Sequence, residues 1–264
     1  MRALRALPTL LRIGVAETVA YRAEFVVWML TTTMPLVMLA LWTAVARETP
    51  IPGFGAGQLT SYYLATLIVR QLTGNWIVWE LNYEIRLGTL SMRLLRPLHP
   101  LWQYAGQHMS AVPMRTLVSA PVVALTMAIM GTGAFTSDPV LLGALALSIV
   151  MAWALNFLAM SLLGLLALYT EQSLSAFDVF FGIFGVFSGY LIPLELLPGW
   201  VRTGASWLPF RGMLGLPVEL ACGRLARAEA AAAMGLQLGW LVVLLVVTLA
   251  TWRRALRRFE ALGG

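Results

Sequence analysis

Thirty consecutive residues, Pro139–Leu168, carry no charged side chain. The hydrocarbon core of a bilayer is about 30 Å thick, and a helix crosses it with about 20 apolar residues. Inside lipid every backbone N–H and C=O must be satisfied within the segment, which a helix alone achieves for a single stretch. The segment is therefore expected to be a transmembrane helix, tilted or projecting because it exceeds the bilayer. Asp138 ahead of Pro139 reads as an N-cap followed by a first-turn proline. Five further apolar stretches, at 25–46, 59–79, 112–130, 173–192 and 234–252, have similar character. The reading is an all-α integral membrane protein with six transmembrane helices, organised as a single domain over 1–264.

Composition agrees and excludes other classes. Hydrophobic residues make up 59% and charged residues 11%, about half the charge of an average globular chain. The net charge of +6 comes from 18 arginines, with no lysine. These arginines punctuate apolar segments instead of covering one face, which argues against a nucleic-acid partner. Cys222 stands alone, so neither an internal disulfide nor a cysteine metal site is expected. His99 and His108 lack metal-ligand spacing and read as interfacial loop residues. Without lysine the GxxxxGK[ST] phosphate loop cannot exist, so the chain is not expected to hydrolyse ATP by that route. No catalytic pair, cofactor site or metal site is expected. Nor is a secretory signal, because the first apolar run begins near Phe25 and is about twenty residues long.

Residues 1–24 contain Pro8, then Leu11, Val15 and Val19 at helical spacing, with Arg2, Arg5 and Arg12. They read as an amphipathic interfacial helix; a basic tail is the plainer alternative. Pro35 lies inside the first span, and Pro113 and Pro121 in the third, where Arg115 sits close enough to the surface to snorkel. Residues 193–227 hold Pro193, Pro198, Pro209 and Pro217, so they cannot form one straight helix. Broken helices dipping into the membrane edge fit better. With six spans, Arg2, Arg5, Arg12, Arg22, Arg86, Arg93, Arg96, Arg115, Arg253, Arg254, Arg257 and Arg258 fall on one side. Arg47, Arg202, Arg211, Arg224 and Arg227 fall on the other. The richer side is the cytoplasm, so both termini are expected inside.

Between the second and third spans lies YEIRLGTLSMRLLRPLHPL, residues 83–101. Thr89 can start a helix and Pro97 must stop it. A helix over 89–96 puts Leu90 and Leu94 on one face, with Met92, Arg93 and Arg96 around the other. It is too short to persist alone in water. Either it is a basic cytosolic loop obeying the positive-inside rule, or it is an element through which a soluble motor pushes on the membrane part.

Acidic residues Glu80, Glu171, Asp178 and Glu195 lie at or near span ends, which disfavours a carrier driven by an ion gradient. Arg70 is the single charge near mid-span, with Gln71 and Asn75 on the same helix. It either lines a translocation path or pairs structurally; the residues leave both open. Phe177, Phe180, Phe181, Phe184 and Phe187 recur at helical spacing, beside a Gly185/Gly189 pair that permits close helix approach. They are either packing or the wall of a path suited to flat, amphiphilic or cationic cargo.

EIRLGTL (84–90) with residues 94–100, and FSGYLIP (187–193) running through 197–198 to 208–210, carry a likeness that runs nearly end to end. YRAEFVVW (21–28), VRQLTGNW (69–76) and LLRPLHPLW (94–102) add to it. The chain resembles the permease subunits of type-2 ATP-binding-cassette exporters, in a less-characterised branch resembling multidrug and viologen exporters. That resemblance implies that residues 84–96 form a coupling helix seated in a separate ATPase, with Glu84, Arg86, Gly88, Leu90, Arg93, Leu94, Arg96 and Pro97 at the contact. It implies an external re-entrant segment at 193–217 gating the exit, with Pro193, Glu195, Pro198 and Pro209. Spans two and five would face the conduit, with Arg70, Gln71, Asn75, Phe177, Phe181 and Phe184 along it. Two ATPase subunits would bind ATP and Mg, and a second permease, same or dissimilar, would complete a dimer in a bacterial cell membrane. The cargo would be an amphiphilic drug, dye or secondary metabolite. A secondary carrier or channel-like subunit, an exporter of a lipid or lipid-linked glycan, and a membrane-embedded enzyme are the alternatives. The turn at 169–172 carries no arginine, which argues against a second strong ATPase contact there.

Overall fold

The computed structural model describes residues 33–51, 53–130, 135–170 and 173–262. The interfacial helix expected at 1–24 and the start of the span at 25–46 lie outside these residues. Among the described residues the chain is helical, apart from one isolated bridge between Ile51 and Phe54.

Helix α1 (Met34–Glu48) has Pro35 in its first turn, where the missing N–H removes no helix bond. Helix α2 (Ala56–Thr73) is capped by the Gln58 side chain, which accepts from Gly55 N at 2.9 Å. The sequence predicts a continuous span at 59–79; instead the helix stops at Thr73 and restarts at Ile77. Residues 74–76 between are non-helical, with Gly74 extended at ψ 145°. Helix α3 (Ile77–Arg86) buries Ile77, Val78 and Leu81. Gly88, at φ +73°, reverses the chain into α4 (Leu90–Leu94), a single turn with Leu90 fully buried. Helix α5 (Pro100–Ser110) follows, with Pro100 again in the first turn, and runs through Ala111 into α6 (Val112–Met130). The third apolar rod is thus longer than 112–130, beginning at Pro100.

Helix α7 (Pro139–Leu165), extended by a tighter turn at Leu166–Leu168, is the hub on which α2, α3, α8, α10 and α11 pack. Asp138 caps it, accepting from Val140 N at 2.9 Å, as the Asp-Pro pair leads one to expect. Close approach rests on small residues. A Cβ on Gly164 would lie 3.0 Å from the Leu81 side chain of α3. Polar side chains add interhelical bonds: Asn156 of α7 donates to Met213 O at 3.0 Å, and Gln237 donates to Gly212 O at 2.8 Å and Ser148 O at 3.0 Å. In lipid, packing of this kind and polar contacts hold helices together, since tails are as apolar as leucine.

Helix α8 (Ser173–Phe187) has 15 residues, shorter than the span predicted at 173–192. It ends because Gly189 turns left-handed at φ +84°, and three donors from other helices then cap the freed carbonyls. Tyr62 hydroxyl donates to Gly189 O at 2.8 Å; Tyr63 hydroxyl and Trp42 Nε1 each donate to Leu191 O at 3.1 Å. A tight turn (Leu194–Leu196) and α9 (Gly199–Trp207) follow. A widened turn (Arg211–Gly215) then leads into α10 (Leu216–Ala221). Gln237 and Asn156 supply the donors its carbonyls at Gly212 and Met213 need. Helix α11 (Arg227–Leu262) closes the fold.

By length and apolar content, Pro100–Ile129, Pro139–Leu168 and Arg227–Arg257 can each cross a membrane, and Ser173–Phe187 is a shorter apolar helix. Two core clusters mark opposite ends of the bundle. One joins Leu90, Tyr104 and Leu168 to Trp252 and Ala255 near the C-terminus of α11. The other joins Phe54, Tyr62, Tyr190, Met213 and Val218, at the end that holds the 193–221 hairpin.

Candidate functional site

The reversal from α3 through α4 to α5 forms a knuckle with a polar inside and an apolar tip. Glu84 and Arg93 meet across it: Arg93 Nη2 lies 2.7 Å from Glu84 Oε1, and Nε donates to both carboxylate oxygens at 2.8 Å. Tyr104 of α5 donates its hydroxyl to Glu84 Oε2 at 2.6 Å, and its ring lies under the guanidinium at 4.1 Å. Burial alone would lower the Arg93 pKa; the pairing with Glu84 outweighs it, so the guanidinium stays charged. Gln103 ties the same turn from below, donating to Arg93 O at 3.1 Å and Leu98 O at 2.7 Å and accepting from Arg96 Nη1 at 3.3 Å. Leu90 is buried and Leu94 packs partly against the same cluster, the face expected for them.

What remains outside is largely apolar. Tyr83, Leu87, Met92 and Leu95 are 65%, 57%, 66% and 86% exposed, next to exposed Arg86, Gly88, Arg96 and Pro97. So Arg93 and Glu84, two of the residues expected at a partner contact, face inward as the brace of the knuckle. The exposed tip is Leu87, Met92 and Leu95, of which the sequence placed only Met92 on the outer face. Arg86 donates to Asn82 Oδ1 at 3.0 Å, and Asn82 also bonds Ser173, so the knuckle is tied to the first residue of α8.

The brace continues inward to the break after α2. Arg93 Nη2 donates to Gln107 at 3.4 Å, Gln107 to Glu80 at 3.5 Å, and Trp76 Nε1 to Glu80 at 3.1 Å. His108 is fully buried on α5, 3.3 Å from Glu80 and edge-on to Trp76. It is an inner member of this network, not the interfacial loop residue its isolation in sequence implied. Arg115 likewise does not snorkel. It is 4% exposed, donates to Gly74 O and, at 3.1 Å, to His108 O, and lies over the Trp76 ring at 5.3 Å. The break frees backbone acceptors, and this arginine satisfies one of them.

On the other side of α2, Arg70 lies over three rings. Its guanidinium carbon is 5.5 Å from the Phe181 centroid, 5.3 Å from Phe184 and 5.8 Å from Tyr190. Phe184 is buried; Phe177 packs on Trp79 of α3 at 4.4 Å and stacks on Phe181 at 5.7 Å. The phenylalanine row therefore faces α2 and α3. Gln71 is buried, and Asn75 sits in the break with its amide atoms buried and no hydrogen-bond partner among the described residues. Arg70 and Asn75 are thus not on one continuous helix, as their spacing suggested.

At the far end, Pro193 opens the turn before α9, Pro198 precedes its first residue, and Pro209 follows it at the bend into the widened turn. Glu195 pairs with Arg224, whose guanidinium lies 3.9 Å from the Phe54 centroid and donates to Gly53 O at 3.2 Å. One clasp thus joins the hairpin to the α1–α2 loop. Two more pairs lock this end, Arg211–Glu219 at 2.7 Å and Arg227–Asp138 at 2.8 Å. Neither was evident in sequence: the first depends on the widened turn that separates its partners, and those of the second stand 89 positions apart. Among the described residues no group of acidic, histidine or cysteine side chains is arranged to hold a metal ion.

The described residues thus form a helical bundle with a braced knuckle after α3 and a proline-bent segment before α11. The family model described as ABC-2 family transporter protein matches residues 28–263. The chain belongs to the ABC-2 transporter family. No curated protein matches it. Membership makes it a membrane transport component, and permeases of this family work with an ABC ATPase as partner.

Proposed function

We propose that this chain is one permease half of an ATP-driven exporter, moved by a separate ATPase that seats against the knuckle at 83–98. The observation that carries the reading is the apolar tip of Leu87, Met92 and Leu95, held out by an internal ion pair. Exposed leucines on a lipid-facing helix need no partner; on a polar reversal rich in arginine they do. The brace behind them gives a push somewhere to go, through Arg93, Gln107 and Glu80 to the break after α2, and through Asn82 to α8.

In this reading six spans cross the membrane: α1 with the residues before it, α2 with α3, α5 with α6, α7, α8 with the loop after it, and α11. The knuckle shares its end of the bundle with Trp252 and Ala255, and His99 lies 5.3 Å from the Trp252 ring. Arg86, Arg93 and Arg96 therefore lie at the same end as Arg253, Arg254 and Arg257, which supports placing that end in the cytoplasm. The hairpin at 193–217 then faces outward as the gate, and a second permease completes the conduit for an amphiphilic small molecule.

Co-expression with an ABC ATPase subunit from the same genome tests this. The wild-type permease is expected to bring the ATPase down. A Leu87→Ser, Met92→Ser, Leu95→Ser variant is expected to weaken that capture at least about tenfold, about 1.4 kcal/mol, with an unchanged thermal midpoint. Transport that persists without ATP under an ion gradient would transfer the assignment to a secondary carrier.

A further inference from the structure

The arginines of the bundle differ in what answers their charge. Arg93, Arg211, Arg224 and Arg227 each pair with a carboxylate, and Arg115 is engaged by two backbone carbonyls. Arg70, the most deeply placed along the sequence of a span, has neither. Among the described residues no carboxylate lies within ion-pair reach of it. Its neighbours are the ring faces of Phe181, Phe184 and Tyr190, with Tyr190 its polar contact. Ring faces hold a cation through their quadrupoles but accept few of its hydrogen bonds. A guanidinium offers five N–H donors in a planar fork, a geometry suited to two oxygens of one anion. A cation kept at membrane depth without a counter-ion is costly, and its usual resolution is a partner from a cavity or a substrate.

We infer that Arg70 with the rings of Phe181, Phe184 and Tyr190 is a recognition site for the oxyanion headgroup of an anionic amphiphile, such as a carboxylate or sulfonate on a flat apolar body. Arg70 and Phe181 are half-buried, while Phe184 and Tyr190 are buried and form the floor beneath the guanidinium. The same geometry turns the phenylalanine row against cationic cargo. Its ring faces are already engaged by the protein's own cation, and a positive headgroup there would meet a like charge. The site lies next to the break after α2, where Gly74 N donates to Arg70 O at 2.9 Å in the last bond of that helix.

This inference rests on the export reading, but it is tested without ATP. Permease assembled with its ATPase, in nanodiscs, is titrated with three fluorescent probes of one shape: 2-naphthoate, 2-naphthylmethylammonium and 2-naphthylmethanol. Naphthoate is expected to bind saturably and at least about tenfold tighter than the ammonium probe. Arg70→Gln should abolish that preference, Arg70→Lys should keep part of it, and neither should change the neutral probe. Equal or tighter binding of the ammonium probe to wild-type protein would overturn the proposal, as would absence of saturable naphthoate binding, the result expected if a second permease supplies a carboxylate to Arg70. The wild-type comparison stands even if Arg70→Gln does not fold. Failure here would leave ATPase capture untouched, and failure of capture would leave probe binding readable on the permease alone.

Discussion

At the scale of single residues, the side chains that brace the reversal between α3 and α5 come first. Glu84 is held by Arg93 and Tyr104 together, so its charge is what keeps the knuckle closed. Glu84→Gln keeps the shape and removes the charge, leaving Arg93 partly buried without its counter-ion. The expected loss is about 1–3 kcal/mol of local stability, read as faster hydrogen exchange over 87–96, with ATPase capture retained and ATP-dependent transport reduced. If exchange there is unchanged, the pair is not the brace. Gly189 is a second such residue. Its φ is +84°, and a Cβ would fall 2.4 Å from the Tyr62 hydroxyl. Gly189→Ala is expected to lower the thermal midpoint sharply, and adding Tyr62→Phe should recover part of that loss by removing the oxygen. A double variant no better than the single would show that relief of the clash does not offset the left-handed backbone and the lost cap on Gly189 O.

At the scale of elements, the break between α2 and α3 matters most. The sequence reads 59–79 as one span because the segment is long and apolar enough to cross a bilayer despite Arg70 and Gln71; Gly74 and Asn75 are the local hint of a break. What fixes the break lies 41 residues away, in the Arg115 side chain that caps Gly74 O. Long-range donors of this kind leave no periodic trace, which is also why the end of α8, capped by Trp42, Tyr62 and Tyr63, was placed five residues late. Helix α7, by contrast, was legible in length and in its Asp138 cap, because both are local properties. The knuckle was legible as a basic, helix-starting stretch stopped by Pro97. Which of its residues face inward was not, since that depends on Tyr104 and Gln103 of the next helix. Arg115→Met should leave the Gly74 carbonyl without this donor, at about 1–3 kcal/mol. The expected sign is faster hydrogen exchange at 74–78 with α7 unaffected; exchange that stays slow would mean that the break needs no cap.

At the scale of the whole molecule, α7 is the fixed post and the other elements are arranged around it, with the knuckle at one end and the clasped hairpin at the other. Helices α2 and α8 meet at Arg70, which lies over the rings of Phe181 and Phe184. Permeases of the ABC-2 family generally work with an ABC ATPase partner, and the proposed seat of that partner on the knuckle is the centre of the account. The most direct measurement places a photo-crosslinking side chain at Leu95, the most exposed apolar residue of the knuckle, in the assembled, transporting complex. The account expects an adduct with the ATPase subunit whose yield changes between ATP-bound and nucleotide-free states. An adduct with an extracytoplasmic protein, or none with the ATPase while transport continues, would contradict it.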